Sequence, residues 1–287
     1  MEIQQKQIEN GIPKLIDTHS HVNFSDFDRD REEIINRTLG ENIWMINVGT
    51  NLRSSQRAVE IAGKNPSGIF ASVGLHPTDI RHEGFEIFSG SEDLEKDFDA
   101  ESYGQLARSE KVAAVGEIGL DYYYKPKNLA DLPRYKAKQK EVFEKQLDFA
   151  EDQNLPVIIH CRDAHDEMIA ILEQTIVSGS SLEGVIHCFN GTLSQAKKYL
   201  ALGFFIGING IIFKMNMDET VKNIPLDKMI LETDCPFLVP PMAPSKRNEP
   251  CFVHLTAEKI AEIKGIDFDT VAETTTKNAK KLFKLKN

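Results

Sequence analysis

Two imidazoles one residue apart, His19 and His21 in "IDTHSH", stand near the start of the chain behind a short apolar run. In an extended strand, side chains at i and i+2 project from one face, so the pair would converge on one point. That geometry suits a metal ion, although a solvated strand end could carry the same pair. Groups of the same chemistry recur behind other apolar runs: Glu117 in "AVGEIGLDY", His160 in "VIIHCRDA", His187 in "VIHCFNG" and Asp234 in "ILETDCP". Four of the eight histidines thus end strand-like segments, which chance placement explains poorly. Buried without partners, such groups cost several kcal/mol per ion, and a bound cation removes that cost.

Four imidazoles and two carboxylates exceed the roughly three protein ligands of a catalytic zinc. Two divalent ions fit better, with a carboxylate shared between them, most naturally Glu117, and a separation of about 3.5–4 Å. Two such ions would leave the pocket roughly +2 before hydroxide binds, an anion site within an acidic protein. A bound water with its pKa lowered to about 7 would be the nucleophile.

These groups must be positioned by the elements behind them. Eight strand-like runs, 14–17, 44–48, 69–73, 112–115, 156–159, 184–186, 204–208 and 228–231, alternate with helical periodicity at 32–39, 54–62, 133–150, 164–176, 193–202 and 252–263. The alternation predicts an α/β fold, a (β/α)8 TIM-type barrel whose strand C-terminal ends carry the site, with a doubly wound open sheet as the alternative. The acidic stretch 82–110, between strands three and four, reads as a helical surface insertion. Residues 267–287 read as a last helix whose "KKLFKLK" end is solvated. The whole chain, 1–287, reads as one barrel domain.

Composition bounds the function. The chain is 41% hydrophobic and 27% charged, with a formal net charge of −10. Such a balance excludes coating nucleic acid by bulk electrostatics and predicts modest, salt-sensitive affinity for it. Residues 1–14 carry no long apolar stretch, so neither a secretory signal nor a membrane span is expected, and the cytoplasm is the expected location. The four cysteines lack paired spacing and are expected as reduced thiols without disulfide partners. Cys161, Cys188 and Cys235 each follow a proposed ligand, and alternation points them away from the metals.

Taken together, "DTHSHVNF", "VGLHP", "VGEIGLDYYY", "VIIHCRDA", "VIHCFNG", "LETDCPFL" and "KRNEP" resemble the TatD family of metal-dependent deoxyribonucleases, within the amidohydrolase-like barrel superfamily. The resemblance runs from Ile16 to about Phe283. It implies a divalent-metal site and hydrolysis of DNA phosphodiesters, often with 3'-to-5' exonuclease action. His19, His21, Glu117 and Asp234 would hold one metal, and Glu117, His160 and His187 the second. A glutamate in place of the carboxylated lysine of many amidohydrolases favours this branch.

Asp234 is the expected proton acceptor as well as a ligand, and a purely ligating Asp234 is the alternative. His76 and Asp121 sit after strands, where they could contact substrate, support the ligands or cap loops. Tyr122, Tyr123, Tyr124, Lys125 and Lys127 could stack a base and touch a phosphate, or form a packed lid. Arg247 suits a phosphate clamp better than a loop brace. His82, His165 and His254 read as surface or capping residues. The metals expected are zinc, manganese, magnesium, cobalt or nickel. The partner expected is DNA, single-stranded or with accessible ends, acted on by a monomer or weak oligomer in DNA catabolism or repair. Rival readings are a D-aminoacyl-tRNA deacylase, a cyclic-amide or lactone hydrolase, and a non-catalytic metal-dependent nucleic-acid binder.

Overall fold

The apolar runs are short and buried along their full length, as strands covered on both faces must be. In the computed structural model, which describes residues 13–82 and 94–286, they form one parallel sheet in chain order. The strands are β1 (Leu15–Ser20), β2 (Ile43–Val48), β3 (Ile69–Val73), β4 (Val112–Asp121), β5 (Val157–Arg162), β6 (Gly184–Ile186), β7 (Phe205–Ile208) and β8 (Met229–Leu231). Around them, among the described residues, lie α1 (Arg31–Gly40), α2 (Leu52–Lys64), α3 (Ala100–Ala107), α4 (Leu132–Asp152), α5 (His165–Val177), α6 (Leu193–Ala201), α7 (Asp218–Asn223), α8 (Val253–Lys264) and α9 (Phe268–Leu282). The sheet closes between β1 and the segment just after β8. Asp234 N donates to His19 O at 2.8 Å and His21 N to Cys235 O at 2.9 Å. The result is the expected (β/α)8 barrel, and the open-sheet alternative falls.

Neighbouring strand residues serve two separate cores. Leu15, Met45, Val73, Ile159 and Leu231 pack with helix residues such as Ile34, Ala58, Phe143 and Met168. Ile16, Ile46, Phe70, Ile158, Val185, Phe205 and Ile230 form a second cluster, together with Leu282, Phe283 and Leu285. The end of the chain therefore packs apolar side chains against the barrel interior, which corrects the reading of "KKLFKLK" as a solvated end. Its lysines remain outside, Lys280 lying 5.0 Å from the Trp44 ring.

Local chemistry starts and stops the helices. Asn51 Oδ1 accepts from Ser54 N at 2.9 Å while Ser54 Oγ accepts from Asn51 N at 3.0 Å, a capping box that opens α2. Gly265, at φ 66°, ends α8 in the left-handed region. α3 falls inside the expected helical insertion, of which residues 83–93 lie outside the described residues. α7 carried no sequence signal, being six residues long.

Three strands run further than expected, and each carries a predicted ligand, His19 on β1, Glu117 on β4 and His160 on β5. β1 continues to Ser20, β4 to Asp121 and β5 to Arg162. Polar residues there resemble strand ends in the sequence, yet the ladder goes on beneath them, pairing Gly119 with His160 and Asp121 with Arg162. No helix among the described residues is long and apolar enough to cross a membrane.

Candidate metal centre

The strand C-terminal ends bring all six predicted ligands together around Glu117. Its carboxylate divides the imidazoles into two groups. Oε2 lies 3.2 Å from His19 Nε2 and 3.8 Å from His21 Nε2. Oε1 lies 2.8 Å from His160 Nδ1, 3.5 Å from His76 Nε2 and 3.7 Å from His187 Nε2. Asp234 Oδ1 closes the ring, 3.5 Å from His21 Nε2 and 3.8 Å from both His19 and His187 Nε2.

Three of the rings, His21, His160 and His187, have a partner on the far side, whereas His19 Nδ1 is buried without one among the described residues. His21 Nδ1 donates to Val48 O at 3.0 Å, leaving Nε2 with its lone pair directed inward. His160 is held from behind by Asp121, whose Oδ2 lies 3.0 Å from Nε2. His187 Nδ1 lies 2.9 Å from Glu232 Oε1. Carboxylates behind imidazoles set the tautomer and raise the basicity of metal ligands. His76 differs, because its Nδ1 accepts from Thr78 N at 3.2 Å and its Nε2 proton then faces Glu117. It braces the central carboxylate.

The donor set fits divalent cations. His19 Nε2 and His21 Nε2 face one another at 3.1 Å, an arrangement satisfied by a cation lying beside both. Among the described residues, four overlapping trios of potential ligating atoms lie within 4.8 Å of one another, among them His19, His21 and Glu117, and His187, Cys188 and Asp234. Nitrogen and carboxylate donors at such spacing suit zinc and its first-row neighbours.

Protonation follows the same geometry. Burial favours neutral His160, but Asp121 and Glu117 outweigh it and push the ring up to about 9. Burial is likewise outweighed at His187, which Glu232 and Glu117 push up to about 10. His19 is lowered by burial and by the His187 ring stacked 3.5 Å away. Against the opposing effect of burial, the surrounding imidazoles hold Glu117 well below the usual carboxylate range. Asp234 is lowered in the same way, by His21, His187 and His19.

Above the cluster opens a cavity of about 560 Å³. Its apolar lining comes from Phe24, Ile211, Met215, Phe237 and Leu238. Its polar lining includes Tyr124, Arg162 and Asn190. Several expectations change here. Tyr122 is buried beneath the loop, with Lys136 Nζ 4.1 Å from its ring, so it cannot stack a base. Lys125 is exposed but does not line the cavity. Arg247 is engaged elsewhere, donating to Asp30 Oδ2 at 2.7 Å, Oδ1 at 3.0 Å and Asp26 O at 2.7 Å. It braces the loop after β8, the reading the sequence ranked second.

Cys188 corrects another expectation. At φ 44° it leaves the strand alternation, lines the cavity and comes within ligating range of His187 and Asp234. Cys161 and Cys235 are buried as expected, and all four cysteines are free. His165 is buried as well, between Tyr199 Oη at 3.0 Å and Asn190 Oδ1 at 2.9 Å. His82 and His254 are half-buried.

Sequence reasoning missed Glu232, although its i−2 spacing from Asp234 in "ETD" was a signal for a shared face. Fully buried, Glu232 Oε1 also accepts from Cys188 N at 2.7 Å and Asn209 Nδ2 at 3.1 Å. Asn209 itself carried no signal.

Comparison with known proteins identifies a family. The family described as TatD related DNase matches residues 16–284. The chain is 37% identical over 277 residues to the uncharacterized metal-dependent hydrolase YabD of Bacillus subtilis, covering 94% of this chain and 99% of that one. It is 34% identical over 280 residues to the 3'-5' ssDNA/RNA exonuclease TatD of Erwinia tasmaniensis, covering 94% and 100%. The crystal structure of YjjV, a TatD homolog from Escherichia coli K12, superposes with a TM-score of 0.81 at 27% identity, covering 95% of this chain and 99% of that one. With the barrel, the imidazole and carboxylate cluster and these matches in agreement, the chain belongs to the TatD family of metal-dependent hydrolases, enzymes acting on ester bonds.

Proposed function

We propose that the protein is a two-metal nuclease that hydrolyses DNA phosphodiester bonds at accessible strand ends, in the 3'-to-5' direction. The observation that carries the two-metal reading is the division at Glu117, whose two oxygens face separate imidazole groups. His19, His21, Glu117 and Asp234 would hold one cation, and Glu117, His160 and His187 the other. When bound, the cations activate water near neutral pH and stabilise charge on phosphoryl oxygens. Asp234 is the proton acceptor: held below the usual carboxylate range, it is ionised at neutral pH and lines the cavity. Asp121 and Glu232 keep His160 and His187 in register.

A cavity walled by Phe24, Ile211 and Phe237 favours an unstacked base over a continuous duplex. The similarity to the 3'-5' ssDNA/RNA exonuclease TatD of Erwinia tasmaniensis supports the strand-end and polarity assignments.

The test uses metal-stripped protein and 5'-labelled single-stranded DNA, with magnesium, manganese or zinc added back. A metal-dependent ladder shortening from the 3' end is expected, and Asp234→Asn lowers kcat by about 10²–10⁴-fold with its fold retained by circular dichroism. Intact DNA with every metal, together with amino acid release from D-aminoacyl-tRNA, would replace the nuclease by a deacylase.

A further inference from the structure

Arg162 takes no part in the roles assigned so far. It stands on β5 two residues beyond His160, about 6.6 Å further toward the mouth, a distance comparable with one repeat of an extended nucleic-acid backbone. Among the described residues it is the one Arg or Lys side chain that lines the cavity. Arg31, Arg37, Arg57 and Arg247 are all paired with carboxylates. The Arg162 guanidinium instead lies 3.6 Å from the centre of the Tyr123 ring and 5.7 Å from that of Tyr124. Stacking of this kind fixes the guanidinium plane while leaving its edge N–H donors free.

The support beneath it is continuous with the metal centre. Tyr122 N donates to Arg162 O at 2.9 Å, which locks the aromatic loop to β5. Tyr123 N and Tyr124 N donate to Asp121 Oδ1 at 3.0 and 3.4 Å, and the other oxygen of that carboxylate orients His160. One carboxylate thus sets both a predicted metal ligand and the turn that presents Tyr123. Phe24, Phe237, Met215 and Leu238 line the same cavity with apolar surface. Its lining thus offers both a cation and apolar side chains.

Resting on the nuclease reading above, we propose that Arg162 binds the phosphate next to the scissile one, with Tyr123 as its positioning residue and the apolar lining receiving the base. A planar fork suits the two free oxygens of a phosphodiester. The enzyme then prefers strands carrying at least two consecutive phosphates over isolated diesters.

The experiment pairs protein and substrate changes. The manganese-loaded wild type and variants cleave a single-stranded oligonucleotide and a copy bearing one neutral methylphosphonate at the linkage next to the terminal one. For wild type, the neutral linkage lowers kcat/KM about tenfold to a hundredfold, mainly through KM. Arg162→Gln shows a loss of the same size on the fully charged strand and no further loss on the neutral one. Arg162→Lys recovers part of the activity, Tyr123→Phe keeps most of it, and Tyr123→Ala behaves as a weaker Arg162→Gln. The slope of log kcat/KM against log salt flattens by about 0.7 in Arg162→Gln. Equal losses from Arg162→Gln on both oligonucleotides overturn the subsite and leave the nuclease reading standing. A wild type that cuts neither overturns both.

Discussion

At the residue scale, the predicted ligands compete for protons as well as for metal. With His160 pushed up to about 9 and His187 to about 10, both rings are protonated in the metal-free protein at pH 7. Ligation requires the neutral ring, so loading must release protons. Metal affinity is therefore expected to rise with pH toward 9, by about tenfold per unit for each proton released. Folding of the metal-free protein responds oppositely: the raised imidazoles stabilise it fully below their ordinary value near 6.5, and this contribution is lost as pH climbs through about 9 to 10. Calorimetric titration of manganese in buffers of different ionisation enthalpy measures the release. Glu232→Gln, removing the carboxylate behind His187, should weaken metal binding about 10–100-fold while leaving DNA-contacting residues unaltered. An unchanged affinity would reduce Glu232 to a packing role.

At the element scale, the site depends on β4 and β5 staying paired past the point where the sequence turns polar. Gly119 makes that possible. At φ 145°, a Cβ there would lie 2.0 Å from His160 O, in the ladder that separates Glu117 from Asp121. Gly119→Ala is expected to destabilise by about 2–5 kcal/mol, combining backbone strain with overpacking. It should also weaken metal binding, because Glu117, Asp121 and His160 share that register. Urea unfolding and metal titration of the variant check both effects; near-native values in each would show that the two strands can shift without cost to the centre.

At the scale of the whole molecule, the apolar end of the chain packs against the barrel interior while the opposite mouth holds the charged groups. Bound cations would hold β1, β4, β5, β6 and the segment after β8 together around the mouth. A cation at about 100 times its dissociation constant adds about 2.7 kcal/mol to stability. Chelation should therefore lower Tm in a metal-dependent, reversible manner, as differential scanning calorimetry would record. A Tm indifferent to metal would contradict the shared centre. Despite the net charge of −10, substrate attraction depends on the local pocket and should fall with added salt.

Strand alternation, the strand-ending histidines and the motif order were enough to establish the barrel and to nominate His19, His21, Glu117, His160, His187 and Asp234, because period-two patterning and metal chemistry are both written locally. Three things required the folded chain. Glu232 contacts His187 across 45 residues of sequence, a distance no local pattern encodes. Arg247 turned from clamp to brace because Asp30, far away in sequence, meets its guanidinium. Tyr122 and Tyr123 are adjacent and alike in the sequence, yet one is buried and the other lies over Arg162. Which neighbour a polar side chain finds is decided by packing between distant segments, and that choice separates support from substrate contact.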